Sequence, residues 1–274
     1  MARREKPQGK ATRGKTANNR LRRVDRFLHG YDPALIKRVD DAYAQALFVD
    51  LGYGRTPVTT LESARWLRRL HPGLGVLGVE IDAERVAAAE SARGPGTDFR
   101  LGGFNLPLRP GETVRLVRAF NVLRQYDEAE VAGALELLAG QMLPGSLLLE
   151  GTSDPYGRYW SANVYRRGQK AGFITEALVF GTSFRAGFDP VAFQAILPKN
   201  LIHRVVPGEP IHAFFEAWKR SVAHTAAHST WGQRQHFTAA GEALAREGYR
   251  LNTRRRWLGR GYLIWQDPWG EAGS

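Results

Sequence analysis

The stretch Ala46-Leu47-Phe48-Val49-Asp50-Leu51-Gly52-Tyr53-Gly54 decides the fold of this chain. Its first four residues are apolar without alternation, which predicts a strand buried on both faces, as in parallel sheets. The acidic residue and the two glycines that follow predict a tight loop at the carboxyl end of that strand. Because ligands bind beyond the carboxyl ends of the strands in open α/β sheets, this loop is the first candidate for a binding site.

Strand and helix patterns alternate downstream of this stretch. Residues 58–70 predict a helix that begins after Pro57, residues 75–80 predict a second buried strand, and Asp82 caps a helix that runs to about Ser91. Further strands are predicted at 99–101, 114–120 and 146–150, with a helix over 128–142. Since strands that alternate with helices form parallel sheets with right-handed crossovers, we predict a doubly wound α/β fold.

The other segments follow different patterns. Residues 21–45 predict two short helices, and residues 151–236 interrupt the alternation with aromatic and basic residues, a strand at 177–184 and a helix at 210–227. A helix over 237–247 and two strands, 249–258 and 261–265, predict a hairpin at the end of the chain. We therefore expect five parts: a basic flexible tail (1–20), N-terminal helices (21–45), a core (46–150), an insertion (151–236), and a C-terminal helix and hairpin that complete the core (237–274).

Positive charge is concentrated near the amino terminus. The 274-residue chain has a net charge of +12, and residues 1–26 hold ten cationic and two acidic side chains, so they contribute +8 of that total. Residues 1–20 contain no aliphatic or aromatic residue larger than alanine except Met1, so burial cannot offset the entropy cost of ordering them. Two interpretations of this tail stay open: it binds nucleic-acid phosphates, or it only keeps the protein in solution.

Composition excludes several classes of protein. The chain contains no cysteine, which excludes disulfides, thiolate zinc sites, iron–sulfur clusters and cysteine nucleophiles. It contains neither an apolar run of about 20 residues that could span a membrane nor the apolar stretch of a secretory signal. We therefore predict a cytoplasmic protein with no membrane partner.

The loop after the first strand has the chemistry of a nucleoside pocket. Gly52 and Gly54 allow close approach of a ligand to the backbone, and Glu80, at the end of the next strand, can accept hydrogen bonds from both ribose hydroxyls. The dinucleotide fingerprint requires a third glycine where this chain has Pro57, so a cofactor that places a pyrophosphate there is disfavoured.

An acidic residue followed by x-Gly-x-Gly, with a second acidic residue at the end of the next strand, resembles the class I S-adenosylmethionine-dependent methyltransferases. The resemblance covers residues 46–150 and 237–265. It implies a Rossmann-like, mostly parallel seven-stranded sheet with a terminal antiparallel hairpin, a substrate-recognition insertion at 151–236, and S-adenosylmethionine as cofactor. Two departures are Thr56 in place of the third glycine of the motif, and the Gly102-Gly103-Phe104 stretch where a polar residue often contacts the adenine.

The resemblance assigns roles to individual residues. Asp50 and the two glycines would line the methionine end of the cofactor, Glu80 would hold the ribose, and Ile81 would lie against the adenine. The full set of implied cofactor-binding residues is Asp50, Gly52, Tyr53, Gly54, Glu80, Ile81, Phe104 and Asn121.

The loops after the fourth and fifth strands should face the methyl group. Residues 121–124 do not match the Asn/Asp-Pro-Pro-Tyr/Phe sequence of amine-directed nucleic-acid methyltransferases, and the lack of cysteine excludes methylation of pyrimidine carbon 5 through a thiolate adduct. The candidate catalytic residues are Asn121 and Asp154, with loop capping as the alternative role. The candidate substrate contacts are Arg124, Tyr156, Arg158, Tyr159 and Trp160.

Five of the seven histidines lie between residues 203 and 236. His224 and His228 are four residues apart on a helix, but the chain has no acidic residue between Glu216 and Glu242 to complete a site. We predict no metal site and a solvent-exposed role for these histidines.

The sequence favours a methyltransferase whose acceptor is either RNA, held by the basic tail, or a small molecule held by the aromatic insertion. The alternative is a non-catalytic nucleic-acid-binding protein with a degenerate cofactor pocket.

Overall fold

The computed structural model describes residues 6–170, 172–185 and 187–270. Its strands are β1 (Leu47–Leu51), β2 (Val76–Glu80), β3 (Thr97–Leu101), β4 (Val114–Phe120), β5 (Leu147–Ser153), β6 (Tyr159–Arg167), β7 (Phe173–Thr182) and β8 (Tyr262–Gln266). Its α-helices are α1 (Arg22–Tyr31), α2 (Pro33–Lys37), α3 (Val58–Leu67), α4 (Ala83–Ala88), α5 (Glu128–Ala139), α6 (Pro190–Gln194), α7 (Lys199–Ile202), α8 (Pro210–His224), α9 (Gln233–Arg246) and α10 (Arg255–Leu258). None of these helices is long and apolar enough to cross a membrane.

The strands are hydrogen-bonded in the order β3-β2-β1-β4-β5-β6-β7-β8. β1 pairs in parallel with β2 and with β4, and β2 pairs in parallel with β3. The predicted α/β class and the parallel strands at 46–120 are thus confirmed. The predicted cap of α4 is also confirmed, because the Asp82 side chain accepts hydrogen bonds from the backbone amides of Glu84 and Arg85.

The sheet has eight strands instead of the seven that we expected. The difference arises at β6 and β7, since the sequence predicted only part of β7 and none of β6. Polar side chains are buried along β6, where Ser161 donates to the carbonyl of Ile196 at 2.6 Å and Asn163 donates to the Asn200 side chain at 3.0 Å. Because these buried positions are polar, the segment lacks the apolar pattern by which a strand is predicted from sequence.

The antiparallel end of the sheet is confirmed, but its last pair differs from the predicted hairpin. β8 pairs with β7, for example Leu178 with Trp265, and the predicted partner segment 249–258 pairs with β8 only at residues 250–252, through backbone hydrogen bonds of 2.8 and 3.0 Å. Residues 255–258 form the short helix α10, in which Trp257 and Leu258 are buried, and Leu251 makes an isolated bridge to Trp265. The apolar residues of this segment therefore pack as a helical turn rather than as a strand.

The chain divides into two compact units. The first comprises the chain up to Glu150 together with Tyr165–Ile174, and the second comprises Gly151–Val164 and residues from Thr175 onward. The core of the first unit is mainly aliphatic, built by β1, β2, β4 and α5. The core of the second is aromatic, with Phe180, Phe193, Phe214 and Trp218 among its members.

One buried arginine joins the segments that precede β1 to the sheet. Arg115 on β4 is 1% exposed and donates to the backbone carbonyls of Leu35, Ile36, Arg38, Tyr43 and Ala46. Five carbonyl acceptors compensate the burial of its charge, so residues 35–46 are fixed at the amino-terminal end of β1.

Candidate functional site

A cavity opens in the first unit at the carboxyl ends of β1 and β2. Its free volume is about 20 Å³. Four loops contribute to its walls, those after β1, β2, β3 and β4, and so do residues near the amino terminus. The residues that line it are Gln8, Gly9, Lys10, Thr12, Leu51, Gly52, Val79, Glu80, Ile81, Gly102, Gly103, Phe104, Val122 and Tyr126.

Glu80 provides the acidic group of the cavity. It is the last residue of β2 and is 1% exposed. Its Oε2 accepts a hydrogen bond from the Gly54 amide at 2.9 Å, and its Oε1 accepts one from the Ile81 amide at 2.9 Å. Arg85 of α4 lies 3.6 Å from Oε2 and balances the buried charge. A carboxylate fixed in this way still has lone pairs for hydroxyl donors of a ligand.

The glycines of the loop after β1 are required by its geometry. Gly52 has φ +71° and Gly54 has φ +86°, both in the left-handed region that side chains other than glycine rarely adopt. A Cβ at Gly52 would lie 2.6 Å from a methyl group of Val122, so this residue also sets the width of the cavity.

Ile81 and Phe104 contribute an apolar wall to the same cavity. The Phe104 ring packs edge-on against the Tyr126 ring, with 5.4 Å between centroids. Four implied cofactor contacts thus line one cavity: Gly52, Glu80, Ile81 and Phe104.

The other implied cofactor residues lie elsewhere. Asp50 is not among the lining residues, and its carboxylate is held by Thr60 at 2.7 Å and by Arg118, with Nε at 3.1 Å from Oδ1 and Nη2 at 2.8 Å from Oδ2. Tyr53 is 2% exposed and packs edge-on against Phe99, so it belongs to the core. Both residues support the glycine loop through core contacts instead of lining the cavity.

The loop after β4 begins with an unusual backbone conformation. Asn121 has φ +60°, which asparagine tolerates better than most residues. It does not line the cavity, whereas its neighbour Val122 does. Arg124 follows in a short 3-10 helix and is exposed.

Sequence reasoning missed the most prominent feature of the site, which is the segment of residues 6–16. We call this segment the strap. The carbonyl of Gln8 accepts a hydrogen bond from the Phe104 amide at 2.8 Å, and a Cβ at Gly103 would overlap that carbonyl oxygen. Gln8 donates its own amide to the Asn105 side chain at 2.6 Å, and Asn105 donates to the carbonyl of Lys6 at 3.0 Å.

The rest of the strap is held by side chains of the first unit. Arg85 donates to the carbonyl of Thr12 at 2.9 Å and to its hydroxyl at 3.2 Å. Lys10 forms an ion pair with Glu130 at 2.7 Å, and its carbonyl accepts from Gln125 at 2.8 Å. The amide of Lys10 donates to the Tyr126 hydroxyl.

The composition predicts a flexible tail over residues 1–20, and the structure differs from this prediction for residues 6–20. Residues 1–5 lie outside the described part of the chain. The strap obtains its contacts from backbone hydrogen bonds and from glycines, not from apolar burial. Gly9 and Gly14 both have positive φ, and the carbonyl of Gly14 accepts from the Arg55 amide at 3.0 Å. The two glycines were the only sequence signal that could have suggested an ordered path.

The candidate substrate residues of the second unit have structural roles there. Asp154 accepts from the amides of Tyr156 and Arg158, at 3.2 and 2.8 Å, and so caps the turn between β5 and β6. Tyr156 is 73% exposed, and the Arg158 guanidinium lies 5.2 Å from its ring centroid. Tyr159 and Trp160 contribute to packing: Tyr159 lies against Phe193 and Trp160 is 0% exposed.

The histidines make local contacts. The Nε2 atom of His236 lies 3.0 Å from the carbonyl of Val222, and the Nδ1 atom of His228 lies 3.3 Å from that of Thr225. In residues 6–170, 172–185 and 187–270, no group of three or more side chains is placed to hold a metal ion.

No protein-family model matches the chain, and no curated protein matches it. Among solved structures it is similar to LepI in complex with SAM, with 19% identity and a TM-score of 0.36, over 46% of this chain and 31% of that one. It is also similar to human N-acetylserotonin methyltransferase in complex with SAM (21% identity, TM-score 0.32, 50% of this chain, 39% of that one). A third match is the CcbJ methyltransferase from Streptomyces caelestis (16% identity, TM-score 0.30, 53% of this chain, 69% of that one).

These likenesses are partial, and the chain covers less than two thirds of the length of the first two structures. We therefore base the proposal that follows on the geometry of the cavity and on the sequence motif.

Proposed function

We propose that this protein is an S-adenosylmethionine-dependent methyltransferase whose cofactor binds in the cavity at the ends of β1 and β2. The observation that carries the proposal is the position of Glu80. This buried carboxylate ends the second strand, accepts a hydrogen bond from the Gly52–Gly54 loop, and lines the same cavity as the apolar side chains of Ile81 and Phe104. An adenosyl group requires two features: a carboxylate that accepts hydrogen bonds from the ribose hydroxyls, and an apolar wall that contacts the purine.

The residues fit this cofactor by their chemistry. Glu80 would accept hydrogen bonds from the ribose, and Ile81 and Phe104 would flank the adenine. Gly52 leaves the backbone accessible where a Cβ would narrow the cavity. When bound, S-adenosylmethionine supplies a methyl group on a positively charged sulfur.

The chain's own contribution is binding and orientation. Holding an acceptor in line with a methyl group lowers the barrier by as much as about 7–11 kcal/mol in favourable intramolecular cases, without a covalent intermediate. Asn121 and Arg124, in the loop after β4, are the proposed contacts of the acceptor in the first unit. We propose RNA or a small molecule as the acceptor, and a cytoplasmic location.

Calorimetric titration with S-adenosylmethionine tests the proposal, with Glu80→Gln as the variant and Glu84→Gln, an exposed acid on α4, as the matched control. Loss of a charge-assisted hydrogen bond worth about 1.5–3 kcal/mol should weaken binding roughly tenfold to a hundredfold in the first variant and leave the control unchanged. Transfer of a labelled methyl group to RNA, protein and metabolite fractions then identifies the acceptor. Absence of cofactor binding would instead favour a non-catalytic nucleic-acid-binding protein.

A further inference from the structure

A basic groove lies between α1 and α3 in the first unit. Its volume is about 400 Å³, and Arg22, Arg65, Trp66 and Arg69 are among the residues that line it. We call it the arginine groove. It shares no lining residue with the cavity at the ends of β1 and β2.

The arginines of the groove are free to bind an anion. Arg22, Arg65 and Arg69 are exposed, and none of them forms an ion pair with an acidic side chain of the described residues. The one carboxylate that lines the groove, Glu62, accepts the Asn19 backbone amide at 2.9 and 3.0 Å. Three arginines and one glutamate line the groove, so it carries a net positive charge.

An aromatic side chain lies among these charges. The Trp66 ring is half-buried, and the guanidinium groups of Arg26 and Arg69 lie 5.2 and 4.2 Å from its centroid. The His29 ring approaches it edge-on at 6.0 Å. Arginine and tryptophan side by side offer both charge for phosphates and a face for a stacked base.

We propose that the arginine groove binds single-stranded nucleic acid, with the guanidinium groups on the phosphates and the Trp66 indole against a base. Guanidinium groups match phosphate oxygens in two-point hydrogen bonding. A positively charged groove with an aromatic face is the arrangement by which proteins bind single strands without reading their sequence. This proposal goes beyond the methyltransferase activity and does not depend on it.

Fluorescence anisotropy tests the proposal with the full chain and a labelled oligouridylate of about 15 nucleotides, over a range of salt concentrations. The variant Arg65→Gln/Arg69→Gln should bind at least about tenfold more weakly at low salt. Its log–log salt slope should fall by about 1.4, because each lost phosphate contact on a single strand removes about 0.7. The control Arg246→Gln/Arg255→Gln removes the same charge from exposed sites elsewhere and should leave both quantities unchanged.

A second variant separates stacking from charge. Trp66→Leu should weaken binding about fivefold to a hundredfold without changing the salt slope, because stacking releases no counterions. Equal losses in the groove and control pairs would show that binding follows net charge alone and would overturn the proposal. Absence of oligouridylate binding at low salt would also overturn it. The same holds if the groove variant binds oligouridylate as the original protein does and loses affinity only for vesicles of anionic phospholipid.

The strap carries an independent inference. With the strap in place only about 20 Å³ of the cavity is free, far below the roughly 300–1,000 Å³ of pockets that enclose a ligand of this size. The Gln8 carbonyl also takes the Phe104 amide, a donor that borders the proposed adenine wall. Arg85 holds Thr12 beside the Glu80 carboxylate.

We infer that the strap is an autoinhibitory segment that competes with the cofactor for this cavity. This inference depends on the proposed function. Two side chains that hold the strap lie outside the cavity lining: Asn105 bonds Lys6 and Gln8, and Gln125 bonds Lys10. Their removal should shift the strap toward the released state and favour cofactor binding.

The test compares the full chain with Asn105→Ala/Gln125→Ala, and uses Gln45→Ala/Gln169→Ala, two exposed glutamines, as control. Loss of three hydrogen bonds should tighten S-adenosylmethionine binding by about tenfold, while the control stays at the original affinity. Hydrogen exchange of the Phe104 amide should accelerate in the released variant even without cofactor.

Each outcome separates the two ideas. Weaker cofactor binding in Asn105→Ala/Gln125→Ala would make the strap a lid over the cofactor and would overturn autoinhibition. Unchanged cofactor affinity together with faster exchange at Phe104 would also overturn autoinhibition, because the strap would then be released without any effect on the cofactor. Absence of cofactor binding in every variant, with faster exchange at Phe104, would overturn the proposed function and the competition with it.

Discussion

Arg118 of β4 contacts Asp25 of α1 at 2.6 Å, between Nη1 and Oδ1, and neither side chain is exposed by more than 1%. Ser63 of α3 donates to the same oxygen at 2.6 Å. On its other side Arg118 contacts Asp50. One guanidinium thus joins two helices to the strand that carries the glycine loop.

The first prediction concerns pH. Burial raises the pKa of the Asp25 carboxyl to about 6, although Arg118 and Ser63 oppose the shift. Its Oδ2 has no hydrogen-bond partner among the described residues, which suits a protonated carboxyl. Between pH of about 4 and 6, the folded protein keeps a proton that the unfolded chain has released, so this group lowers the free energy of unfolding as pH rises.

Asp25→Asn should remove that contribution. The original protein should lose stability relative to the variant as pH rises. Between about pH 4 and pH 7 this relative loss in unfolding free energy should reach up to about 3 kcal/mol. Urea unfolding at the two pH values measures it, with the exposed Asp41→Asn as control. A constant difference would mean that Asp25 is ionised at both values.

The second prediction concerns Arg118. Arg118→Met leaves Asp25 and Asp50 buried without their counter-charge, which should cost about 3–5 kcal/mol of stability. Chemical denaturation of the variant, and of Arg118→Met/Asp25→Asn, measures this loss. The second variant should recover part of the stability because it buries one carboxylate fewer, and failure to recover any would show that the cost arises from packing alone.

This network explains why the sequence predicted part of the site and not the rest. The apolar run before Asp50 and the glycines after it fixed the strand and its loop, since both depend on neighbouring residues. Whether Asp50 faces the ligand depends on Arg118, which is 68 residues away. The same holds for the strap, whose partners Asn105 and Gln125 are about a hundred residues from it in sequence.

The third prediction distinguishes the aromatic residues that follow β5. Trp160 is fully buried, so Trp160→Ala should lose about 3–5 kcal/mol of stability. Tyr156 is 73% exposed, and Tyr156→Ala should stay within about 0.5 kcal/mol of the original protein. Thermal and chemical unfolding compare the two. A substrate role for this segment would then be visible in the Michaelis constant of Tyr156→Ala, free of any effect on folding.

The last prediction uses two glycines with the same backbone requirement. Gly52 has φ +71° and Gly111 has φ +84°, so valine at either position strains the backbone. Their surroundings differ, because a Cβ at Gly111 meets no atom within 4 Å whereas one at Gly52 lies 2.6 Å from Val122. Both variants should therefore lose stability, by about 1–3 kcal/mol from strain.

Only Gly52→Val should also lose S-adenosylmethionine binding, since Gly52 lines the cavity and Gly111 is not among the lining residues. Calorimetric titration, performed at a temperature where both variants are folded, separates the two effects. If Gly52→Val binds the cofactor as well as Gly111→Val does, the loop after β1 does not contact the cofactor. The assignment of this cavity would then have to rest on Glu80 alone, and the x-Gly-x-Gly sequence would serve only to turn the chain.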